Sequence, residues 1–582
     1  METVNIKING RDYTVEKGIT ILQACRQNGI EIPTLCYLKD INEIGACRIC
    51  VVEVKGARSL VASCVYPIDR DGTEIITNSP KVIKSRKMTL ELILSTHNRK
   101  CLSCVRSGSC ELQKLCNDYG IEDCGRYDGA KEKYEIDDSA IHMYRDNTKC
   151  ILCRRCVAAC QKQQSVSVIG ANMRGFSTNI GSPFEAGLGD TACVSCGQCI
   201  NVCPTGALSE RDQTQQVFDA LNDETKHVIV QTAPSVRVGL GEEFGMPIGS
   251  IVTGKMVTAL KMLGFDGVFD TNFTADLTIM EEATEFLERY TKKENLPLIT
   301  SCSPGWVKFA EHNFPEFIPN ISSCKSPQAM FGAVAKTYYA EKMGIDPKDI
   351  FVVSIMPCTA KKFEASRHEQ AAVKGIPDID VALTTRELAR MIKKAGLCFT
   401  ELPDGEFDAP FGLGSGAGTI FGATGGVMEA ALRTAAEVVT GQPLEKLEFT
   451  DVRGVEGIKE ATYTLAGNVI RVAVASGLAN ARKLLESVKS GEKQYDFIEI
   501  MACPGGCVNG GGQPIQPASV RNVIDLREVR AAALYKDDES LPVRKSHENP
   551  DVKRVYDEYF GKPGSHKSHE ILHTSYVARP KY

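Results

Sequence analysis

Two stretches of this 582-residue chain space four cysteines alike: Cys150-x2-Cys153-x2-Cys156-x3-Cys160, and Cys193-x2-Cys196-x2-Cys199-x3-Cys203 followed by Pro204. Thiols two residues apart strain a disulfide but fit around one metal centre. Eighteen of the 24 cysteines lie at or before residue 203, so the first third of the chain is where sulfur chemistry concentrates. Soft thiolates at this density select iron–sulfur clusters or zinc. The cluster reading is preferred, because it lets the fourth cysteine of each run serve the other run's metal.

The paired runs have the pattern of two-cluster bacterial ferredoxins. Cys150, Cys153, Cys156 and Cys203 are expected to hold one [4Fe–4S] cubane, and Cys193, Cys196, Cys199 and Cys160 a second. Upstream, Cys36, Cys47, Cys50 and Cys64 resemble a plant-type [2Fe–2S] set with a lengthened first gap. Between them lies His97-x3-Cys101-x2-Cys104-x5-Cys110. Zinc would accept that set, but its neighbours favour a third accessory cubane with one imidazole ligand. Cys25, Cys116 and Cys124 fall outside every ligand spacing and read as ordinary thiols.

These sets divide the chain. Residues 1–79 read as a plant-type [2Fe–2S] ferredoxin-like domain, with two short strands around Asn9-Gly10 and a helix from Ile19 to Gly29. Residues 80–125 form a mostly helical His/Cys3 domain, and 126–209 a bacterial ferredoxin-like domain entered through a polar surface connection, Arg126–Asp146. From 210 to 582 the texture changes. Apolar runs begin at His227, Gly267, Pro297, Ile350, Asp380, Arg471 and Phe497, separated by helical segments, which predicts parallel sheets flanked by helices. The fold class is therefore multidomain: ferredoxin-like iron–sulfur domains, then a large α/β domain. Three predicted strands run into cysteines, at Cys302, Cys358 and Cys503. Ligands in α/β sheets gather beyond strand carboxyl ends, so these thiols are expected to converge.

The late cysteines sit in Thr300-Ser-Cys-Ser-Pro-Gly-Trp306, Met356-Pro-Cys-Thr-Ala-Lys-Lys362 and Met501-Ala-Cys-Pro-Gly-Gly-Cys507. These peptides resemble the three signature segments of the iron-only (FeFe) hydrogenases, and the order of the accessory sets extends the resemblance along the whole chain. The resemblance implies an H-cluster, a [4Fe–4S] cubane joined to a two-iron unit carrying carbon monoxide, cyanide and a dithiolate amine. It assigns Cys358, Cys503 and Cys507 to the cubane, with Cys507 bridging. Lys361 and Ser235, in Ala233-Pro234-Ser235, match cyanide donors, and Met356 and Met501 match soft neighbours of the irons. It implies a proton path through Glu282, Ser322 and Glu285, with Arg289 on the same helix face.

One segment departs from the family pattern. Two adjacent cysteines are usual, the first a proton relay and the second a cubane ligand, whereas here Ser303 follows Cys302. A gapless match makes Cys302 the relay and puts a weak oxygen donor at the ligand position; the alternative makes Cys302 the ligand. Cys324 is either a compensating thiol or a packed core residue. The glycine-rich stretch Gly412–Gly426 lacks a preceding strand and a trailing acid. It reads as backbone approaching the cluster rather than as a dinucleotide site.

The expected activity is reversible 2H⁺ + 2e⁻ ⇌ H2. Chain length and the ending Ile571-Leu-His-Thr-Ser-Tyr-Val-Ala-Arg resemble subunits of NAD(P)-linked, electron-bifurcating hydrogenases, which work with flavin-containing iron–sulfur subunits. The alternatives are a single-chain enzyme served by ferredoxin, and a non-catalytic sensor or iron–sulfur assembly protein. Maturation proteins are implied as further partners, since others must build the two-iron unit. A net charge of −5 gives no reason to expect nucleic acid, and no apolar run reaches spanning length. So many thiols, and an amino terminus without a secretory pattern, suggest the cytoplasm of an anaerobic cell.

Overall fold

The computed structural model describes residues 2–444, 446–465 and 467–581. At the amino end, β1 (Thr3–Ile8) and β2 (Arg11–Glu16) pair antiparallel in register Ile8↔Arg11. Their turn places both Asn9 and Gly10 at positive φ, as a two-residue hairpin requires. β3 (Val51–Val54), β4 (Val61–Ala62) and β5 (Thr73–Ile76) complete a five-stranded sheet in the order β2-β1-β5-β3-β4. Helix α1 (Ile21–Gln27) is shorter than expected, because a Thr20/Gln23 capping box fixes its start and Asn28 ends it. Cys25 lies buried on it, as the sequence suggests. Helix α2 (Pro80–Thr96) ends at His97.

The Arg126–Asp146 segment is only partly the surface connection the sequence predicts. Its end forms strand Met143–Arg145, paired with Leu208–Glu210, and His142 is buried. Strand pairing across the two-cluster unit thus recruits residues that composition marks as polar linker.

Beyond residue 210 the described residues form two four-stranded sheets. In the first, β6 (His227–Thr232), β7 (Gly267–Asp270), β9 (Ile350–Met356) and β10 (Val381–Thr384) are all parallel in the order β7-β6-β9-β10. In the second, β8 (Leu298–Ile299), β12 (Asn468–Ser476) and β13 (Phe497–Met501) are parallel in the order β8-β13-β12. The edge strand β11 (Ile458–Leu465) pairs antiparallel with β12, an element the sequence reading missed. The two carboxyl edges face one another, so cysteines after β8, β9 and β13 come from different sheets into one space. In the first sheet, chain order reverses between β6 and β9, which is where an α/β sheet opens a crevice.

Helix α3 (Thr271–Lys292) begins eight residues before the predicted start at Ile279. Asp270 caps it and its first turns are wholly buried. Helices α4 (Pro304–Asn313) and α5 (Gly426–Thr440) start at the rim of the crevice. The carboxyl end wraps back: α6 (His566–Leu572) leads into His573, which pairs with Cys324 in an antiparallel bridge. No described helix is long and apolar enough to cross a membrane.

The two halves are clamped by a buried cation. Arg386 donates to Glu210 (2.7 Å) and Asn201 (3.3 Å) on the cluster side, and to the carbonyls of Gly511 (2.8 Å) and Gln513 (2.5 Å) on the catalytic side. Although burial opposes it, Arg386 and then Arg390 hold the Glu210 carboxyl far below its ordinary value. Removing Arg386 leaves the buried Glu210 carboxylate to Arg390 alone, at a cost below the about 3–5 kcal/mol of a wholly unpaired buried charge. Arg386→Met is therefore expected to lower the urea midpoint of the catalytic half, measured by tryptophan fluorescence of Trp306. An unchanged midpoint would contradict the clamp.

Candidate active site and its metal centres

The crevice between the sheets is a cavity with about 770 Å³ of space free of protein atoms. It brings together Cys302, Ser303, Cys358, Cys503 and Cys507, with Pro234, Ser235, Met356, Lys361 and Met501 in the same wall. All were singled out from the sequence, and all converge here. Burial pushes every one of the four thiols above its ordinary value, and neighbouring thiols or carboxylates add to the effect. The nearby Lys361 eases this only in part at Cys302, Cys358 and Cys507. Thiolates here need positive charge from a bound group, which iron supplies. The donor set and the mostly apolar lining fit an iron–sulfur centre.

Strand ends and turns set each position. β9 ends at Met356, two residues before Cys358, and Lys361 follows in the first turn of helix Ala360–Ala365. The Lys361 ammonium is held by Glu364 (2.8 Å) and Ser326 (2.8 Å) and reaches the Cys302 carbonyl (3.3 Å). The Ser303 hydroxyl accepts from the Ala502 N–H (3.1 Å), which ties the first segment to the third. Trp306 is fully buried and donates to the Thr300 carbonyl (3.1 Å), fixing the turn between β8 and α4. Gly506 sits at φ +95, and a Cβ there would lie 2.7 Å from the Thr424 nitrogen, so Cys507 is presented only if that residue is glycine.

The sequence reading passed over Glu499. It interrupts the apolar strand Phe-Ile-Glu-Ile-Met, and a carboxylate inside a buried strand is itself a signal. Glu499 accepts from the Gly425 (2.7 Å) and Met428 (2.8 Å) N–H groups at the start of α5. This holds the glycine-rich turn so that Phe421 and Gly422 line the cavity. A Cβ on Gly422 would lie 2.2 Å from the Ser235 hydroxyl. The stretch thus does what the sequence suggested, close approach of backbone. Gln513 also went unnoticed; it holds the Ser235 carbonyl (2.8 Å).

On the α3 side, Glu282 is completely buried, and neither oxygen has a hydrogen-bond partner of good geometry among the described residues, although Ser322 and the Ser301 backbone lie near it. Burial, then the charge of Glu285, push its carboxyl up to about 8. Glu285 is the opposite case. Despite its burial, Arg289 (2.6 Å) and bonds from Ser322 (2.7 Å) and Ser323 hold it below the usual carboxylate range. The arrangement runs from Cys302, whose thiol feels Glu282 most strongly among its charged neighbours, through Ser322 to Glu285 and the rim. Cys324 lies outside the cavity, fully buried beside Glu285. It is therefore not placed to supply a compensating thiol to the crevice.

Three of the accessory sets also assemble. A second cavity is lined by Cys150, Cys153, Cys156 and Cys203, the cross-shared set. Cys160 and Cys199 carry charge interactions with Cys193, and Cys196 with both Cys199 and Cys160. Cys36 interacts with Cys47 and Cys64, and Cys64 with Cys50. His97 is buried with Nδ1 unpartnered among the described residues, a state that a metal bond at that nitrogen would relieve. Cys104 lies against Gly206 and Cys110 against the Pro204 carbonyl, so these two thiols abut the Cys203 segment. Asn42 donates to the carbonyls of both Cys36 (2.8 Å) and Cys153 (3.0 Å). Arg155 grips Glu111, next to Cys110, and the Tyr37 carbonyl, next to Cys36. Two candidate branches therefore meet at one cubane site. Cys196, from the other, lines the main cavity itself.

Comparison with known proteins agrees with this geometry. Residues 226–511 match the C-terminal domain of the iron only hydrogenase large subunit, and 524–579 the iron hydrogenase small subunit. Residues 1–80 match a 2Fe-2S iron-sulfur cluster binding domain, 86–124 the NADH-ubiquinone oxidoreductase-G iron-sulfur binding region, and 149–207 a 4Fe-4S dicluster domain. The chain is 48% identical to the NADP-reducing hydrogenase subunit HndD of Solidesulfovibrio fructosivorans, covering 100% of both. It is 48% identical to iron hydrogenase 1 of Clostridium pasteurianum over 98% of this chain and 99% of that one. The solved structure of apo [FeFe]-hydrogenase HydA1 from Chlamydomonas reinhardtii superposes with TM-score 0.57 at 46% identity, covering 64% of this chain and 100% of that one.

The raised Glu282 carboxyl yields a signed expectation. Its ordinary value is 4.5 and its folded value about 8, so between these the native chain keeps a proton that the unfolded chain releases. Stability contributed by this group therefore falls as pH rises through that window. Glu282→Gln is expected to flatten that fall in denaturation midpoints while cutting hydrogen turnover about 10²-fold or more. Turnover within twofold of the parent chain would remove Glu282 from the route.

Proposed function

This chain belongs to the iron-only hydrogenases, and on that premise we propose that it is the hydrogen-converting subunit of an NAD(P)-linked complex. The family's reaction is 2H⁺ + 2e⁻ ⇌ H2. The observation that carries the linkage is end-to-end similarity, 48% over the full length of both chains, to a subunit named NADP-reducing. Separate flavin-containing iron–sulfur subunits are then the electron partners. The similarity to hydrogenases along the whole chain favours an enzyme over a sensor or assembly protein.

In this reading the chain holds one [2Fe–2S] cluster on Cys36, Cys47, Cys50 and Cys64. It holds three accessory [4Fe–4S] clusters: one on His97, Cys101, Cys104 and Cys110, and two on the cross-shared sets. Cys358, Cys503 and Cys507 hold the H-cluster cubane. Ser303 stands at the fourth corner and Cys302 serves as the proton relay, because the Cys302 thiol neighbours Glu282 while the Ser303 hydroxyl turns to the Cys503 segment. The H-cluster, delivered in part by maturation proteins, supplies the iron at which hydrogen forms or splits. Lys361 and Ser235 would hold its cyanides, and Pro234, Met356 and Met501 would keep water from it.

The protein's own work is separation of charges. Protons pass between Cys302 and the surface by Glu282, Ser322, Glu285 and Arg289. The poised carboxyl of Glu282 can give and regain a proton near neutral pH, whereas Glu285 is held ionised by Arg289. Electrons enter past Cys196, which lines the same cavity.

The test is anaerobic purification from the native host. The expected result is co-migration with a flavoprotein subunit and hydrogen-driven reduction of NAD(P)⁺ by the complex. A chain that migrates alone and reduces ferredoxin with hydrogen at full rate would favour the single-chain alternative.

A further inference from the structure

Two clusters of ligating side chains among the described residues have no part in the cubane sets, and only one of them contains a thiol. Glu285, Cys324 and His573 offer an oxygen, a sulfur and a nitrogen that all lie within 4.8 Å of one another. Cys324 Sγ is 3.6 Å from Glu285 Oε2 and 4.0 Å from His573 Nδ1. In tetrahedral zinc coordination, sulfur and its neighbouring donors lie about 3.5 Å apart. The three groups are thus close to that spacing before any ion draws them in.

Two further features point the same way. First, backbone fixes the donors. Cys324 and His573, distant in sequence, face each other in an antiparallel bridge, with Lys325 N–H on the Leu572 carbonyl (2.8 Å) and Thr574 N–H on the Ser323 carbonyl (2.7 Å). Second, His573 is oriented as a metal-bound histidine is. Its Nε2 lies 3.1 Å from Glu281 Oε2, and Glu281 is itself held by the Tyr556 hydroxyl (2.5 Å) and the Gly564 N–H (2.9 Å). A carboxylate on one ring nitrogen leaves the lone pair of the other free to bind a cation. Here that other nitrogen, Nδ1, faces Cys324 and the Ser323 hydroxyl (2.8 Å).

We infer that Glu285, Cys324 and His573 form a binding site for one soft divalent cation of the Zn²⁺ class, whose occupancy withdraws Glu285 from proton transfer. The second half rests on the proton route proposed above. Binding forms a metal–sulfur bond and releases the Cys324 thiol proton to water. The charges of Zn²⁺ and Arg289 are then balanced by the Cys324 thiolate and the Glu285 and Glu281 carboxylates, with neutral imidazole the third donor and water the fourth. The Ser323 hydroxyl turns aside. The ionisable groups around the site include Glu281, Glu282, Glu285, Arg289, Cys324, Tyr556, His569, His573 and Tyr576. The exposed His569 ring lies tilted against His573 with ring centres 4.4 Å apart, on the solvent side of the site.

The probe is ZnCl2 added in one equivalent to the anaerobic holoenzyme, followed by zinc K-edge absorption, which iron does not obscure. The expected shell has one sulfur near 2.3 Å with nitrogen and oxygen near about 2.0 Å. Cys324→Ser should lose the sulfur shell and His573→Gln should weaken binding about 10-fold or more, both with basal hydrogen turnover retained. Zinc should lower wild-type hydrogen oxidation at least about 10-fold, with recovery on chelation. No retained zinc, a shell with two or more sulfurs, or equal binding by both variants would overturn the site. One-sulfur binding without loss of turnover would leave the site standing and overturn the route through Glu285.

Discussion

Buried thiols without a compensating charge are the constraint on which this molecule depends. Sulfur atoms enter low-dielectric space in the first ferredoxin-like unit, in the two-cluster unit and in the crevice between the catalytic sheets. Burial alone pushes those thiols toward their neutral form, and in the crevice the Lys361 ammonium offsets only part of that push. Iron reverses the balance, because a bound cation makes the thiolate the favoured state. Folding and cluster insertion are therefore coupled, and the cysteine sets are structural elements as much as redox ones.

Charge also explains the layout. Each turnover must move two protons and two electrons into a space that excludes water. In the proposed reading different residues serve the two: Cys196 of the nearest accessory set, which lines the cavity, the electrons, and Cys302 with buried Glu282 the protons. Buried ion pairs such as Arg386–Glu210 hold the walls together without adding a charge inside the cavity. At the far end, Asn42 and Arg155 lock the [2Fe–2S] loop, the His/Cys3 set and the first cubane site into one junction.

Much of this was legible in the sequence because metal ligands obey local spacing. The convergence of the three strand-end cysteines on one crevice follows from such spacing and from strand ends, and β7 lies residue for residue where the sequence puts it. What remained hidden depends on long-range pairing. Neither the division of the catalytic strands into two facing sheets nor the antiparallel β11 is encoded in periodicity, since a buried edge strand and a central one look alike. The early start of α3 escaped because its first turns are buried all round and show no amphipathic stripe. The Cys324–His573 bridge joins residues with no local signal between them. Glu499 and Gln513 were missed for a different reason: they act on backbone that supports the ligands.

The account comes down to where iron sits. Anomalous scattering at the iron edge, collected from anaerobic crystals of the fully matured protein, locates it directly. The account predicts six irons in the crevice walled by Cys302, Cys358, Cys503 and Cys507, four of them within bonding distance of the last three sulfurs. A crevice without iron, or iron bound while those sulfurs point elsewhere, would contradict it.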